Sequence, residues 1–173
     1  AAEPACKTPY YYVRSETILN ECMQQMFSST DPDDSIRSML SYLGETFLCE
    51  RTYIFEIYSN KTASNTYEWC KAGTVSQKDT LQHVPLSAFD WWMDLFAENQ
   101  VTVIPNLEDI RITYPESYAV LKPQNIRSLA AGPIKVDGKI VGFLGVNNPD
   151  SQMLPMVTPL LNIIGYFTST LFK

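Results

Sequence analysis

The segment over residues 140–146 is apolar at every position. Side chains along a strand alternate between the two faces of a sheet. An unbroken apolar run therefore predicts a strand that is covered on both sides. Asp137-Gly138 lies just before this segment and is typical of a two-residue hairpin turn. The sequence thus predicts an antiparallel hairpin inside a sheet that carries helices on both faces.

Helical and extended patterns alternate along the rest of the chain. Apolar residues that recur every three or four positions predict helices, and they cover residues 15–27, 32–47, 86–99, 107–121 and 156–171. Stretches rich in β-branched and aromatic residues predict strands, and they cover residues 51–58, 63–71, 101–104, 127–136 and 139–147. Because hairpins dominate this order, we predict an α+β fold with a central, mainly antiparallel sheet of five to six strands.

The chain has the size of a single domain, with 173 residues. Residues 1–14 contain two prolines, and we interpret them as an irregular leader to a domain over residues 15–173. The sequence does not begin with Met, so we expect it to be a piece of a longer protein.

Charge and hydropathy exclude two classes of partner. Thirteen Lys and Arg against 19 Asp and Glu give a net charge of −6. Nucleic-acid binding requires a basic face that neutralises phosphates, and an anionic membrane surface repels such a chain as well. No apolar run approaches the roughly 20 residues of a membrane span. We expect neither nucleic acid nor a membrane as a partner.

Cysteine and histidine usage gives no sign of a metal site. The four cysteines include no C-x-x-C pair, so a zinc site is not expected. Cys22 and Cys49 fall within apolar helical patterns, which predicts buried reduced thiols and favours the cytoplasm. The lone His83 lies in a polar loop, where a solvated side chain is the simpler interpretation. We expect no metal and no cofactor.

Four segments, taken in order and spacing, resemble a GAF domain of the kind found in bacterial multidomain signalling proteins, often upstream of diguanylate cyclase modules. They are RTYIFE at residues 51–56, SNTYEWC at 64–70, LKPQNIRSL at 121–129 and GFLGVNNP at 142–149. The resemblance covers residues 15–172. It implies terminal helices on one face of the sheet, with shorter helices and loops enclosing a small-ligand pocket on the other.

The resemblance also implies a role in regulation rather than catalysis. We expect a sensory domain that binds a small cytosolic molecule, forms a homodimer through its first and last helices, and signals to a covalently linked output domain such as a diguanylate cyclase. Two alternatives remain: a dimerisation scaffold with a vestigial pocket, or an enzyme that acts through Cys70 like relatives that reduce methionine sulfoxide. Asn60-Lys61 lacks the following Phe and acidic pair of cyclic-nucleotide-binding relatives, and no cysteine precedes a histidine as in bilin-binding relatives.

Two carboxylates on the first hairpin are candidate ligand contacts. Pairing Tyr58 with Ser64 places Glu56, Thr66 and Glu68 on one face and four aromatic side chains on the other. If the aromatic face packs on the terminal helices, the carboxylates look into the pocket, where they favour an amine or hydroxyl ligand. The alternative is that both carboxylates are solvated or paired with Arg51 or Arg127.

Three further candidates lie on other elements. Trp92 is on the helix expected over the pocket, although it can equally fill the core. Arg127 begins a strand and can hold an anionic group, or form a salt bridge at the sheet edge. Asn147 ends the buried strand at a rim where ligands bind, and it is also a good turn former.

Overall fold

A computed structural model describes residues 4–172 of the chain, with side chains described from residue 14 onwards. The α-helices are α1 (Pro4–Met26), α2 (Pro32–Thr46), α3 (Asp90–Ala97), α4 (Pro115–Leu121) and α5 (Leu154–Thr168). The strands are β1 (Arg51–Ile57), β2 (Thr62–Cys70), β3 (Val84–Pro85), β4 (Thr102–Ile104), β5 (Leu129–Val136) and β6 (Lys139–Asn147). Short 3₁₀ helices cover Leu86–Phe89, Leu107–Ile110, Lys122–Gln124 and Ser169–Phe172.

The six strands form one antiparallel sheet in the order β3-β2-β1-β6-β5-β4. Strand β6 lies in the interior of the sheet, between β1 and β5. Its neighbouring residues Phe143 and Leu144 point to opposite faces, and both are buried. The predicted α+β class and the strand covered on both sides are therefore confirmed.

One face of the sheet packs against α2 and α5, and α1 packs on these two helices. Ile54, Ala130 and Leu144 supply the sheet side of this core, and Leu40 of α2 and Leu161 of α5 supply the helix side. Asp31 begins α2 as predicted, because its carboxylate accepts a hydrogen bond from the Asp33 backbone N–H at 3.0 Å. The terminal helices therefore share one face, which is the arrangement that the resemblance implied.

The first helix is longer than the sequence indicated. Helix α1 begins at Pro4, so the prediction of an irregular leader over residues 1–14 is wrong for residues 4–14. Proline is well tolerated at the first position of a helix, because the N–H that it lacks has no partner there. Pro9 costs the helix one further backbone hydrogen bond without ending it. Residues 1–3 lie outside the described part of the chain.

The first hairpin has a different register from the predicted one. Tyr58 N–H donates to the Thr62 carbonyl at 2.8 Å, so the turn is tighter than a Tyr58–Ser64 pairing allows. Thr66 is an extra residue, because Ile54 pairs with Tyr67 while Phe55 pairs with Asn65. Such a β-bulge shifts the register by one residue and exchanges the faces beyond it. The predicted shared face of Glu56 and Glu68 is therefore wrong.

The last helix has the length and hydropathy of a membrane-spanning segment. Residues Leu154–Phe172 form 19 helical residues with a mean hydropathy of 1.2, and 44% of this window is buried in the domain. The expectation that no apolar segment reaches this length is wrong, because 3₁₀ residues extend α5. Val157, Leu161 and Ile164 pack on the sheet, as in a core helix.

Candidate functional site

The space implied for a ligand, between the sheet and the shorter helices, is filled by aromatic side chains. We call Phe55, Phe89, Trp92 and Phe143 the ring cluster. Phe55 and Phe143 stack with ring centroids 5.0 Å apart, and Phe89 meets Trp92 at 4.8 Å. All four are buried. The ring cluster is thus an interior core on the face opposite to the terminal helices.

Little room remains beside these rings. The cavity bordered by the ring cluster, Tyr53, Leu121 and Gln124 has a volume of about 10 Å³. One water molecule needs a cavity of roughly 10–15 Å³ on this measure. In this structure that cavity therefore holds at most a single water.

A much larger depression lies at the end of the sheet where β1 begins and β2 ends. It has a volume of about 500 Å³, inside the range of roughly 300–1,000 Å³ that small-molecule sites occupy. We call it the sheet-end cleft. Its lining residues are Glu50, Arg51, Gly73, Thr74, Val75, Gln77, Lys122, Gln124, Asn125, Ile126 and Arg127.

A buried ion pair borders the sheet-end cleft. Arg51 Nε lies 3.4 Å from Glu68 Oε2, and each side chain is only 4% exposed. This distance makes an ion pair, but Nε has no hydrogen bond to any described residue. The sequence alternative that Glu68 pairs with Arg51 is confirmed. Two buried charges so close stabilise a fold only when further hydrogen bonds satisfy them.

Those further bonds come from the loop over residues 71–83, between β2 and β3, which we call the latch loop. Arg51 Nη2 donates to the Val75 carbonyl at 2.7 Å. The Glu68 carboxylate accepts hydrogen bonds from the Ser76 hydroxyl and from the Gln77 backbone N–H, the latter at 2.9 Å. The ion pair thus fastens the middle of the latch loop beside the cleft.

The opposite rim of the cleft is fixed by Asn148, just after β6. Its Oδ1 accepts from the backbone N–H groups of Arg127 and Ser128, at 2.7 and 3.1 Å. Its Nδ2 donates to Glu50 Oε2 at 2.6 Å and to the Asn125 carbonyl at 3.0 Å. Because these bonds join the start of β1, the end of β6 and the start of β5, Asn148 acts as a structural residue of the rim.

Arg127 and Glu50 form the ion pair of this rim, at 2.8 Å. Burial by itself raises the pKa of Glu50, but the hydrogen bonds from Arg127 and Asn148 outweigh it and hold the pKa below its usual value. The predicted Arg127 salt bridge is confirmed, although Arg127 precedes β5 rather than beginning it, and β5 is not an edge strand. Such a partly exposed pair contributes only about 0–1 kcal/mol to folding.

The lowered pKa of Glu50 predicts a pH effect on stability. A carboxyl whose pKa is lowered by folding stabilises the protein above its unfolded pKa of about 4.3, and the contribution disappears as the pH falls through the folded value. We expect the unfolding free energy lost in Glu50→Gln to be largest at neutral pH and to shrink below about pH 4. Urea unfolding from pH 7 to 3.5 measures it. Parallel pH profiles for the variant and the unsubstituted chain would contradict this.

Asn147, the last residue of β6, lies beside Arg51 below the rim. The sheet pairs the two residues directly, so their side chains share a face. Asn147 is 1% exposed, and both Oδ1 and Nδ2 lack a hydrogen-bond partner among residues 14–172. Unpaired buried amides are rare because burial without a partner is costly. This amide is the least satisfied polar group next to Arg51.

The structure brings together only some of the candidates named from the sequence. Arg127 lines the cleft, and Glu68 and Asn147 adjoin it through Arg51. Glu56 lies on the other face of β1, Thr66 is the bulge residue, and Trp92 is part of the ring cluster. These three are not brought to the cleft: Glu56 lies further along β1 than Arg51 and on the opposite face, and Trp92 is packed in the ring cluster. Whether any candidate contacts a ligand stays a prediction.

Several residues that line the sheet-end cleft were not predicted from the sequence as site residues. Arg51 was considered only as a partner for the carboxylates, although a charge at the head of an otherwise mostly apolar strand is a signal in itself. Glu50 and Lys122 had no pattern that marked them as site residues, whereas the polar residues of the loop over 74–84 are those expected of a movable cover. They meet only because the sheet brings three distant segments to one end.

The three cysteines with described side chains, Cys22, Cys49 and Cys70, show no sign of activation. Burial raises the pKa of both Cys22 and Cys49 to about 12. Burial also raises the pKa of Cys70, and the nearby Glu68 carboxylate adds to this effect. A nucleophilic cysteine needs a lowered pKa. Within the described residues, no group of three or more His, Cys, Asp or Glu side chains is arranged to hold a metal ion.

Solved structures give the fold an independent match. The chromophore-binding domain of the Stigmatella aurantiaca bacteriophytochrome superposes with a TM-score of 0.77 at 13% identity, covering 93% of this chain and 60% of that one. A far-red absorbing protein with bound biliverdin IXa gives 0.71 at 12% identity, covering 90% and 99%. The GAF domain of an Acinetobacter phosphoenolpyruvate-protein phosphotransferase gives 0.64 at 15% identity, covering 91% and 92%. At sequence identities this low, the structural similarity shows a shared fold and nothing further.

The chain spans only about 60% of the length of the bacteriophytochrome structure. Comparison with the curated proteins gives no match. The family model described as "GAF domain" matches residues 31–167, from the N-cap of α2 to the last turn of α5.

Proposed function

Since the chain belongs to the GAF domain family, we propose that it is a sensory domain without catalytic activity of its own, which binds a small cytosolic molecule in the sheet-end cleft. GAF domains are generally sensory rather than catalytic. In the proposal, binding is passed through the terminal helices to a covalently attached output domain, such as a diguanylate cyclase. The domain is expected to act in the cytoplasm as a homodimer.

The observation that carries this proposal is a cleft of about 500 Å³ bordered by buried polar groups. Arg51 and Asn147 lie side by side in the sheet there, and each has at least one polar atom with no described partner. Ligand sites combine a concave surface with a few convergent polar groups. The ring cluster leaves no comparable volume over the middle of the sheet.

The same packing argues against a bound chromophore like the biliverdin of one structural relative. The residues present do not fit a tetrapyrrole, because the cavity bordered by the ring cluster has a volume of only about 10 Å³. The enzyme alternative is not favoured either, since the raised pKa of Cys70 keeps its thiol protonated at neutral pH.

A path from the cleft to the terminal helices follows strand β1. Thr52 is the neighbour of Arg51, and its buried hydroxyl donates to the Leu40 carbonyl of α2 at 2.8 Å. On the next strand, the Tyr67 hydroxyl donates to Asp33 at the start of α2. A ligand that binds more tightly to one position of β1 shifts the population of that position. Helix α2 then reports the shift to α1 and α5, which it contacts directly or through the shared core.

The exposed face of α5 supports the proposed homodimer. Ile163 is 40% and Tyr166 is 71% exposed, while Leu160 and Ile164 belong to the core. Exposed apolar side chains on a terminal helix are typical of a surface that meets a partner. The same face, together with the filled middle of the sheet, supports the second candidate function, which is a dimerisation scaffold whose pocket has no ligand.

Native mass spectrometry of the purified chain separates the two functions. We expect a dimer with extra mass that disappears on denaturation and that identifies the bound molecule. The extra mass should fall in Arg127→Glu, which changes the cleft rim, and persist in Lys139→Glu, which makes the same charge change at the far end of the sheet. A dimer free of extra mass in chain desalted directly from lysate would favour the scaffold, and a monomer free of it would contradict both.

A further inference from the structure

The sheet-end cleft is lined mainly by positively charged side chains, whereas the whole molecule has a negative net charge. Among the residues that the structure describes, Arg51, Lys122 and Arg127 line it with Glu50 as the only carboxylate, in a chain whose net charge is −6. We propose that the cleft binds an oxyanion group, a carboxylate or a phosphate, carried by a small molecule. This deepens the proposed function and rests on it, because it names the class of ligand for that same site.

The free hydrogen-bonding capacity beside Arg51 is mainly that of donors. Arg51 Nε lies 3.4 Å from Glu68 Oε2 but makes no hydrogen bond within the described chain, and neither does the Asn147 amide next to it. A guanidinium offers several N–H donors in one plane, a geometry that matches two oxygens of a carboxylate or phosphate. Asn147 Nδ2 adds another donor on the same face of the sheet. Its Oδ1 can accept from a hydroxyl of the ligand or from water.

The carboxylates near the cleft are already engaged. Glu68 accepts from Ser76 and Gln77, and Glu50 accepts from Arg127 and Asn148. A cationic ligand would have to take these oxygens from their present donors. The amine ligand that the sequence favoured rested on Glu56 and Glu68 sharing a face, and the β-bulge separates them.

Arg127 and Lys122, the two cations at the rim, can exchange their protein partners for a ligand at a small cost in free energy. Arg127 pairs with Glu50 at 2.8 Å and Lys122 with Glu108 at 3.2 Å, and both cationic side chains are more than half exposed. Exposed ion pairs contribute little energy, so a ligand oxyanion can replace the protein carboxylate in either pair. Arg51 then forms the floor of the site, with Asn147 directly beside it in the sheet and Arg127 and Lys122 at the rim.

A titration followed by backbone amide NMR tests this assignment. Sodium phosphate, sodium citrate and spermidine chloride are added separately at constant ionic strength, because added salt alone screens surface charges. We expect saturable shifts with citrate or phosphate at Arg51, Val75 and Arg127, and none with spermidine. The anion that binds more tightly distinguishes a carboxylate ligand from a phosphate ligand.

Paired variants locate the binding. The double variant Lys122→Gln, Arg127→Gln should weaken anion binding about tenfold or more, and Asn147→Leu should weaken it with the rim intact. Lys135→Gln with Lys139→Gln makes the same charge change at the far end of the sheet and should bind normally.

The outcomes also separate this inference from the proposed function. Equal anion binding by the rim and far-end variants would overturn the oxyanion site. Saturable shifts at the same residues with spermidine alone would overturn it too, while the cleft would stand as a ligand site. If no probe shifts these residues and native mass spectrometry shows no bound molecule, both proposals fail.

Discussion

Replacing Glu68 with alanine is expected to lower the unfolding free energy by about 3–5 kcal/mol, the usual cost of removing one member of a buried ion pair. The loss is large because Arg51 stays buried at 4% exposure without its counter-charge. The latch loop also loses the acceptor that holds Ser76 and Gln77. Urea unfolding followed by tryptophan fluorescence measures the free energy, and amide hydrogen exchange over residues 71–83 measures the release of the loop.

Glu56→Ala is the matched control. It removes the same side chain from the other strand of the hairpin and from the opposite face, where no ion pair to a described residue holds Glu56. Since Glu56 is half-buried without an ion pair, its effect should be that of an ordinary substitution, about 1 kcal/mol or less. Glu68→Gln should fall between the two, because it keeps an acceptor for the latch loop and loses the charge. Equal losses in Glu68→Ala and Glu56→Ala would show that the pair with Arg51 is not structural.

Phe143→Ala is expected to cost about 3–5 kcal/mol as well, for a different reason. Phe143 is fully buried at the centre of the ring cluster, with Phe55, Phe89 and Trp92 around it at centroid distances of 5.0, 5.6 and 5.6 Å. Truncation removes the buried apolar area and leaves a cavity that the neighbouring rings fill only in part. Urea unfolding of the variant and of the unsubstituted chain gives the difference.

Two variants bracket this prediction. Phe27 follows α1 and is 58% exposed, so Phe27→Ala should change the unfolding free energy by less than about 0.5 kcal/mol. Phe143→Leu fills most of the space and should cost clearly less than alanine. An enlarged cavity among rings should also admit a small apolar molecule such as benzene, which would stabilise Phe143→Ala alone. A loss below about 1 kcal/mol would mean that the cluster repacks freely.

Local features of the fold were predictable because neighbouring residues determine them. Asp31 caps α2 since a carboxylate, a proline and two further acids follow one another at a helix start. Asp137 and Gly138 both have positive φ, at 51° and 78°, as a two-residue hairpin turn requires. The apolar run of β6 had to be covered on both faces wherever the other elements lay.

Features that depend on distant residues were not predictable in the same way. The bulge at Thr66 has no distinctive residue, yet it decides which face Glu68 occupies. The partner of Arg51 Nη2 is a backbone carbonyl 24 residues away, which side-chain patterns do not reveal. The ring cluster was visible only as separate aromatic residues, so the sequence could not show that together they fill the implied pocket.

Asn148 has a consequence for the order in which the protein assembles. Its amide reaches Glu50, 98 residues away in the chain, and backbone groups more than 20 residues away. Closing loops of such length lowers the entropy of the chain, and this loss is offset only when the native contacts are complete. The rim should therefore consolidate late, after β6 has docked between β1 and β5. A molecule that recognised this rim would therefore bind only those chains in which the whole sheet has assembled.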